Sequence, residues 1–138
     1  MNYLLDTCVL SEFTRRRPDE KVIAWVGGID EEKLFISVIT VGEIQRGVER
    51  LPGSQRKTEL LVWLNNALIE RFGQRILSLD CETMIAWGTL TPRLEISGQP
   101  MPVMDALIAA TALHHNLMVV TRNESDFASC GVQVINPW

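Results

Sequence analysis

Four carboxylates in this chain stand where short apolar runs give way to other structure. Asp6 closes Tyr3-Leu4-Leu5-Asp6, and Glu43 lies in Thr40-Val41-Gly42-Glu43. Asp105 lies in Pro102-Val103-Met104-Asp105-Ala106, and Asp126 in Thr121-Arg122-Asn123-Glu124-Ser125-Asp126-Phe127. The flanks of Asp6, Asp105 and Asp126 are largely apolar. A carboxylate in such surroundings is unfavourable unless it is paired, hydrogen-bonded or bound to a metal. Too few basic residues lie nearby in sequence to pair with all four. A shared hard cation, which takes oxygen ligands, is the simplest way to hold them together.

Each acid alone also has a structural explanation. Glu43 completes the capping-box pattern Thr40-x-x-Glu43. Asp105 falls in the first turn of an expected helix, where the macrodipole favours negative charge. Asp126 suits the cap of a short turn. Asp6 is the hardest to explain structurally, because it ends an apolar strand and precedes Thr7. A helix N-terminus can also orient a ligand carboxylate, so the two explanations are compatible.

The elements that must position these acids alternate between strand and helix. Strands are expected over residues 2–6, 34–38, 76–79, 117–121 and 132–135. Helices are expected over 9–16, 19–26, 41–50, 55–72, 81–96 and 103–115, with Asp80 capping one and Pro102 opening another. This alternation predicts an α/β domain with a central parallel sheet flanked by helices. Asp6 and the segment 121–126 then follow the carboxyl ends of strands, the edge at which open α/β sheets bind ligands.

The chain has 138 residues, a length that suits one domain with a real core. No apolar run approaches the ~20 residues needed to span a bilayer, and the opening residues do not read as a signal peptide. An intracellular, cytoplasmic protein is expected. Three cysteines without a C-x-x-C pair indicate neither a disulfide framework nor a zinc site. A net charge of −4 argues against gripping nucleic acid by bulk positive charge. It leaves a nuclease open, since a bound cation inverts the local field.

Other candidates have simpler roles. His114 and His115 end a helix, where cations are favourable. Cys8 has no histidine near it in sequence to activate it. Trp25, Trp63 and Trp87 fall at apolar helix positions. Arg15-Arg16-Arg17 reads as a solvated helix end with phosphate contact as the minority reading, and Arg46 and Arg50 share a helix face with Glu43.

At this point a family resemblance emerges. Leu4-Leu5-Asp6-Thr7-Cys8-Val9-Leu10-Ser11-Glu12 is similar to the first motif of PIN-domain endoribonucleases. Ser37-Val38-Ile39-Thr40-Val41-Gly42-Glu43-Ile44 with Gly47-Val48 resembles the second. Asp105-Ala106-Leu107-Ile108-Ala109-Ala110-Thr111-Ala112 resembles the third, and Thr121-Arg122-Asn123 with Asp126-Phe127 the fourth. The closing Asn136-Pro137-Trp138 is similar to the FitB-like branch of VapC toxins from VapBC-type toxin–antitoxin pairs. Cys8 departs from the pattern, standing where family members often carry Asn. In the fourth motif Asn123, Glu124 and Asp126 are all available to the site, and Asp126, which precedes Phe127, is the expected fourth acid.

The resemblance implies one PIN domain over residues 1–138. It further implies a Mg²⁺- or Mn²⁺-dependent endoribonuclease toxin, with Asp6, Glu43, Asp105 and Asp126 as catalytic metal ligands. Thr7 would position a carboxylate or the phosphate, and Asn123 would support the site. The implied partners are an RNA substrate, a cognate antitoxin with an Arg among the carboxylates, and a second copy in a homodimer, with Trp63 and Trp87 near its surface. Two alternatives stand beside this reading. One is a phosphotransfer protein, with Asp80 as a receiver-like phosphoacceptor, though Cys8 occupies the place of a phosphatase's second Asp. The other is a non-catalytic interaction module whose acids only cap helices.

Overall fold

The apolar runs around residues 3, 34, 76, 118 and 134 become five short strands. They are β1 (Tyr3–Leu5), β2 (Leu34–Ser37), β3 (Ile76–Leu77), β4 (Met118–Val120) and β5 (Val134–Ile135). The computed structural model describes all residues from Met1 to Trp138. All the pairings are parallel, in the order β3-β2-β1-β4-β5. Tyr3 pairs with Leu34 on one side of β1 and with Met118 on the other.

Adjacent strand residues point to opposite faces, and here both faces are covered. Leu5, Ile36 and Val120 join one apolar core, packed by α1 (Thr7–Glu12), α2 (Glu20–Gly27), α3 (Val38–Glu49) and the segment 55–72. Leu4 and Val119 join a second core with α6 (Cys81–Ile96), α7 (Val103–His115) and Phe127 of α8 (Glu124–Phe127). This double burial is why β1 and β4 read as continuous apolar runs rather than alternating ones. No helix is long and apolar enough to cross a membrane.

Several boundaries differ from the sequence reading. The helix carrying Glu43 starts at Val38 rather than Val41, because the Ser37 side chain accepts from Ile39 N and caps it. Thr40 is therefore inside the helix, and the expected Thr40–Glu43 capping box does not form. Asp6 caps α1 at Thr7, two residues before the expected start. That helix ends at Glu12, which leaves Arg15-Arg16-Arg17 in a bend. The expected helix over 55–72 is α4 (Gln55–Val62), a π-helical stretch (Trp63–Leu68) and α5 (Ile69–Phe72). Leu64 and Leu68, four residues apart in this stretch, are both buried in the core.

Candidate active site

The chain runs from β1 outward to β2 and β3, then crosses back to β4 on the other side of β1. The strand order therefore reverses between β1 and β4, and a crevice is expected outside their carboxyl ends. Asp6 leaves β1 there and Thr121 leaves β4. Asp6 is only 6% exposed, and both its oxygens are held. Oδ1 accepts from Thr7 N at 2.8 Å, and Oδ2 accepts from the Thr121 hydroxyl at 2.9 Å. The Cys8 thiol lies 4.0 Å from Oδ2 and 3.6 Å from the Thr121 hydroxyl. It is a neighbour in this network, and burial pushes its pKa up.

Glu43 projects from the second turn of α3, and its Oε1 accepts from the Thr7 hydroxyl at 2.7 Å. Thr7 thus holds Asp6 with its backbone and Glu43 with its side chain. The buried Thr40 stands behind that pair, its hydroxyl 3.4 Å from that of Thr7.

Asp105 is the third residue of α7 and half-buried. Its pKa is raised from 3.8 to about 6, first by burial and then by the charges of Asp6, Asp126 and Glu43. Asp6 is also raised, chiefly by burial, with Asp126 adding repulsion against the lowering effect of its two hydrogen bonds. All four carboxylates therefore share one electrostatic neighbourhood. None of them forms a salt bridge: the ion pairs of Arg15, Arg71, Arg75 and Arg122 go to Glu12 or Glu31 instead.

In the fourth segment the three alternatives separate. Glu124 turns toward the chain end and accepts from Asn136 Nδ2 at 3.0 Å. Asn123 is exposed at the start of α8, with its N–H donated to the Thr121 hydroxyl. Asp126 is the one whose charge acts on both Asp6 and Asp105.

An all-oxygen donor set, crowded with negative charge and lacking a cationic partner, fits a hard divalent cation. A group of three ligand atoms all within 4.8 Å of one another occurs at Asp80, His114 and His115, elsewhere on the molecule. Asp80 accepts from Thr83 N as the N-cap of α6 and takes no part in the acidic group. The receiver-like reading of Asp80 therefore finds no geometry to support it.

Two residues escaped the sequence reading. Thr121 orients Asp6 from across the sheet, and its position just past an apolar strand, like that of Asp6, was the available signal. Glu12 is a carboxylate only 3% exposed. It accepts from Asp19 N at 2.7 Å and lies 3.7 Å from Arg122, whose guanidinium stacks on Trp138. Nothing in its local sequence marks it as buried.

A model of the PIN domain matches residues 3–131. The chain belongs to the PIN-domain family. Toxin FitB of Neisseria gonorrhoeae is 36% identical over 98% of this chain and 97% of its own length. VapC ribonuclease Y4jK of Sinorhizobium fredii is 35% identical over 98% of this chain and 96% of its own. The crystal structure of FitAcB from Neisseria gonorrhoeae superposes with a TM-score of 0.94 at 35% identity, covering 99% of this chain and 98% of that one. The five-stranded parallel sheet is thus the PIN fold, and the acidic group lies at its topological switch point.

Proposed function

We propose that this PIN-domain chain is a divalent-metal-dependent endoribonuclease and the toxin of a toxin–antitoxin pair. The observation that carries this reading is the convergence of Asp6, Glu43, Asp105 and Asp126, from four separate segments, on one site where no basic side chain pairs with them. Relatives named as ribonuclease and toxin point the same way. Asp6, Glu43 and Asp105 would hold Mg²⁺ or Mn²⁺, with Asp126 completing the set. The ion's chemistry there is to acidify a bound water and to offset charge on the scissile phosphate. The residues of the chain supply placement. Thr121 and Thr7 fix both oxygens of Asp6, and Thr7 fixes one oxygen of Glu43. Asp105 and Asp126 come from separate helices and set the remaining negative field. No side chain need attack RNA covalently.

A groove leads from Thr7 and Glu43 along Ile44, Val48, Leu51 and Trp63. It suits an antitoxin segment that lays apolar side chains there and extends an Arg, whose fork matches carboxylates, toward the acids. Trp63 packs against the core and Trp87 is half-buried, so a homodimer face would draw on exposed apolar neighbours such as Met84, Ile85, Val103 and Met104. The chain is assigned as one PIN domain acting on cytoplasmic RNA.

The test is cleavage of a panel of RNAs by the purified chain in Mg²⁺, in Mn²⁺ and in chelator. Metal-dependent cleavage that falls about a hundredfold or more in Asp6→Asn, with the fold intact, is expected, since metal clamping is worth several kcal/mol. Cleavage that persists in chelator, or at full rate in Asp6→Asn, would overturn the reading.

A further inference from the structure

The opposite end of α7 from Asp105 carries a second group of ligand-bearing side chains. Asp80, His114 and His115 each offer one ligand atom, all within 4.8 Å of one another. Asp80 opens α6 and the two histidines close α7, so the group joins the termini of two helices that pack extensively on each other. His115 lies ten positions after Asp105 along α7, which places the group about 15 Å from the acidic site.

Three details go beyond helix-end electrostatics. One Asp80 oxygen is already fixed by Thr83 N at 2.8 Å, so the carboxylate is pre-oriented. Glu82 Oε2 lies 3.1 Å from His114 Nε2, within reach of the carboxylate–imidazole pairing that orients ligating histidines. The Nε2 of His115 is buried with no hydrogen-bond partner, whereas buried polar atoms are ordinarily satisfied. Capping and dipole compensation account for Asp80 and for one cationic histidine. They do not account for two imidazoles in edge-to-face contact at 4.6 Å with a ring nitrogen left unpartnered. The donor chemistry also differs from that of the acidic site. Imidazole nitrogen selects zinc, copper, nickel and cobalt, whereas carboxylate sets suit magnesium and manganese.

We propose that Asp80, His114 and His115 form a binding site for a borderline divalent metal ion of the Zn²⁺ class, with Glu82 orienting His114. The site is separate from the acidic group and does not rest on the nuclease reading. A bound ion would pin the start of α6 to the end of α7.

The test uses tag-free, chelator-stripped full-length protein, with Zn²⁺ followed by calorimetry and Co²⁺ by visible absorption, both in excess Mg²⁺. One equivalent should bind, and the melting temperature should rise with Zn²⁺. His114→Gln, His115→Gln and Asp80→Asn should each weaken binding about tenfold or more, and Glu82→Gln by about tenfold. Asp80→Asn retains an N-capping side chain, which guards against loss of the helix start. Asp6→Asn and Asp105→Asn should bind Zn²⁺ as the wild type does. Absence of Zn²⁺ binding, binding that survives both histidine substitutions, or binding abolished by Asp105→Asn would overturn the proposal.

Discussion

Replacing Asp105 with Asn keeps the shape of the side chain and removes one charge from a crowded site. In the fold its pKa stands at about 6 rather than 3.8. The folded state therefore keeps the proton over a pH window in which the unfolded chain has lost it. That contribution to stability is complete below pH 3.8 and is lost as pH rises through about 6. At full strength the difference is roughly 3 kcal/mol. Asp105 is half-exposed and lies in the first turn of α7, so water screening and the macrodipole reduce it to about 1 kcal/mol. Asn escapes the penalty. In chelator above neutral pH, Asp105→Asn should melt about 3–4 °C higher than the wild type, the shift that about 1 kcal/mol gives in a chain of this size. The gap should close as the pH falls toward the ordinary carboxylate range. In Mn²⁺ the order should reverse, because a ligand has been lost. An ion at a hundredfold excess over its dissociation constant adds about 2.7 kcal/mol, and each tenfold loss of affinity removes about 1.4 kcal/mol of that. Thermal melts of both proteins across pH, with chelator and with Mn²⁺, measure all of this. An Asp105→Asn protein that melts well below wild type in chelator, by the same margin at every pH, would show that Asp105 chiefly supports α7.

Three further outcomes follow from the same geometry. Thr121→Val removes the hydroxyl that donates to Asp6 and should destabilise the protein by about 1–3 kcal/mol in urea unfolding. It should also raise the Asp6 pKa further, read by carboxylate NMR titration. Thr7→Val frees Glu43 while keeping the backbone N–H on Asp6, so RNA cleavage should drop roughly tenfold, matching about 1.4 kcal/mol, with little change in melting temperature. Asp126→Asn should weaken Mn²⁺ binding measured by calorimetry, whereas Glu124→Gln, turned toward Asn136, should leave it unchanged.

The parallel sheet, the α6 cap at Asp80 and the start of α7 after Pro102 were legible because local chemistry and tertiary context agree there. Disagreement explains the misses. Val38-Ile39-Thr40 are β-branched residues that extend the expected strand to 38 and delay the expected helix to 41, yet the Ser37 cap and the core contacts of Ile44 and Val48 make them helix. The π-helical stretch keeps the same apolar spacing as an ordinary helix, so only packing reveals it. The candidate acids were visible as types out of place, and Asp6 most clearly. Thr121 and Glu12 were not, since their roles depend on partners 115 residues away in one case and on the burial of a surface-like segment in the other.

The Asp6–Thr121 hydrogen bond spans nearly the whole chain, and the acids it supports come from positions 6, 43, 105 and 126. The central strand is synthesised first, but its partner β4 comes almost last. A polypeptide still emerging from the ribosome without its fourth segment holds some of the acids but not their common neighbourhood. For an enzyme that would attack the RNA of its own cell, this topology acts as a safety catch. The destructive centre comes into being only once the segment carrying Thr121 and Asp126 has been made and β4 has paired with β1.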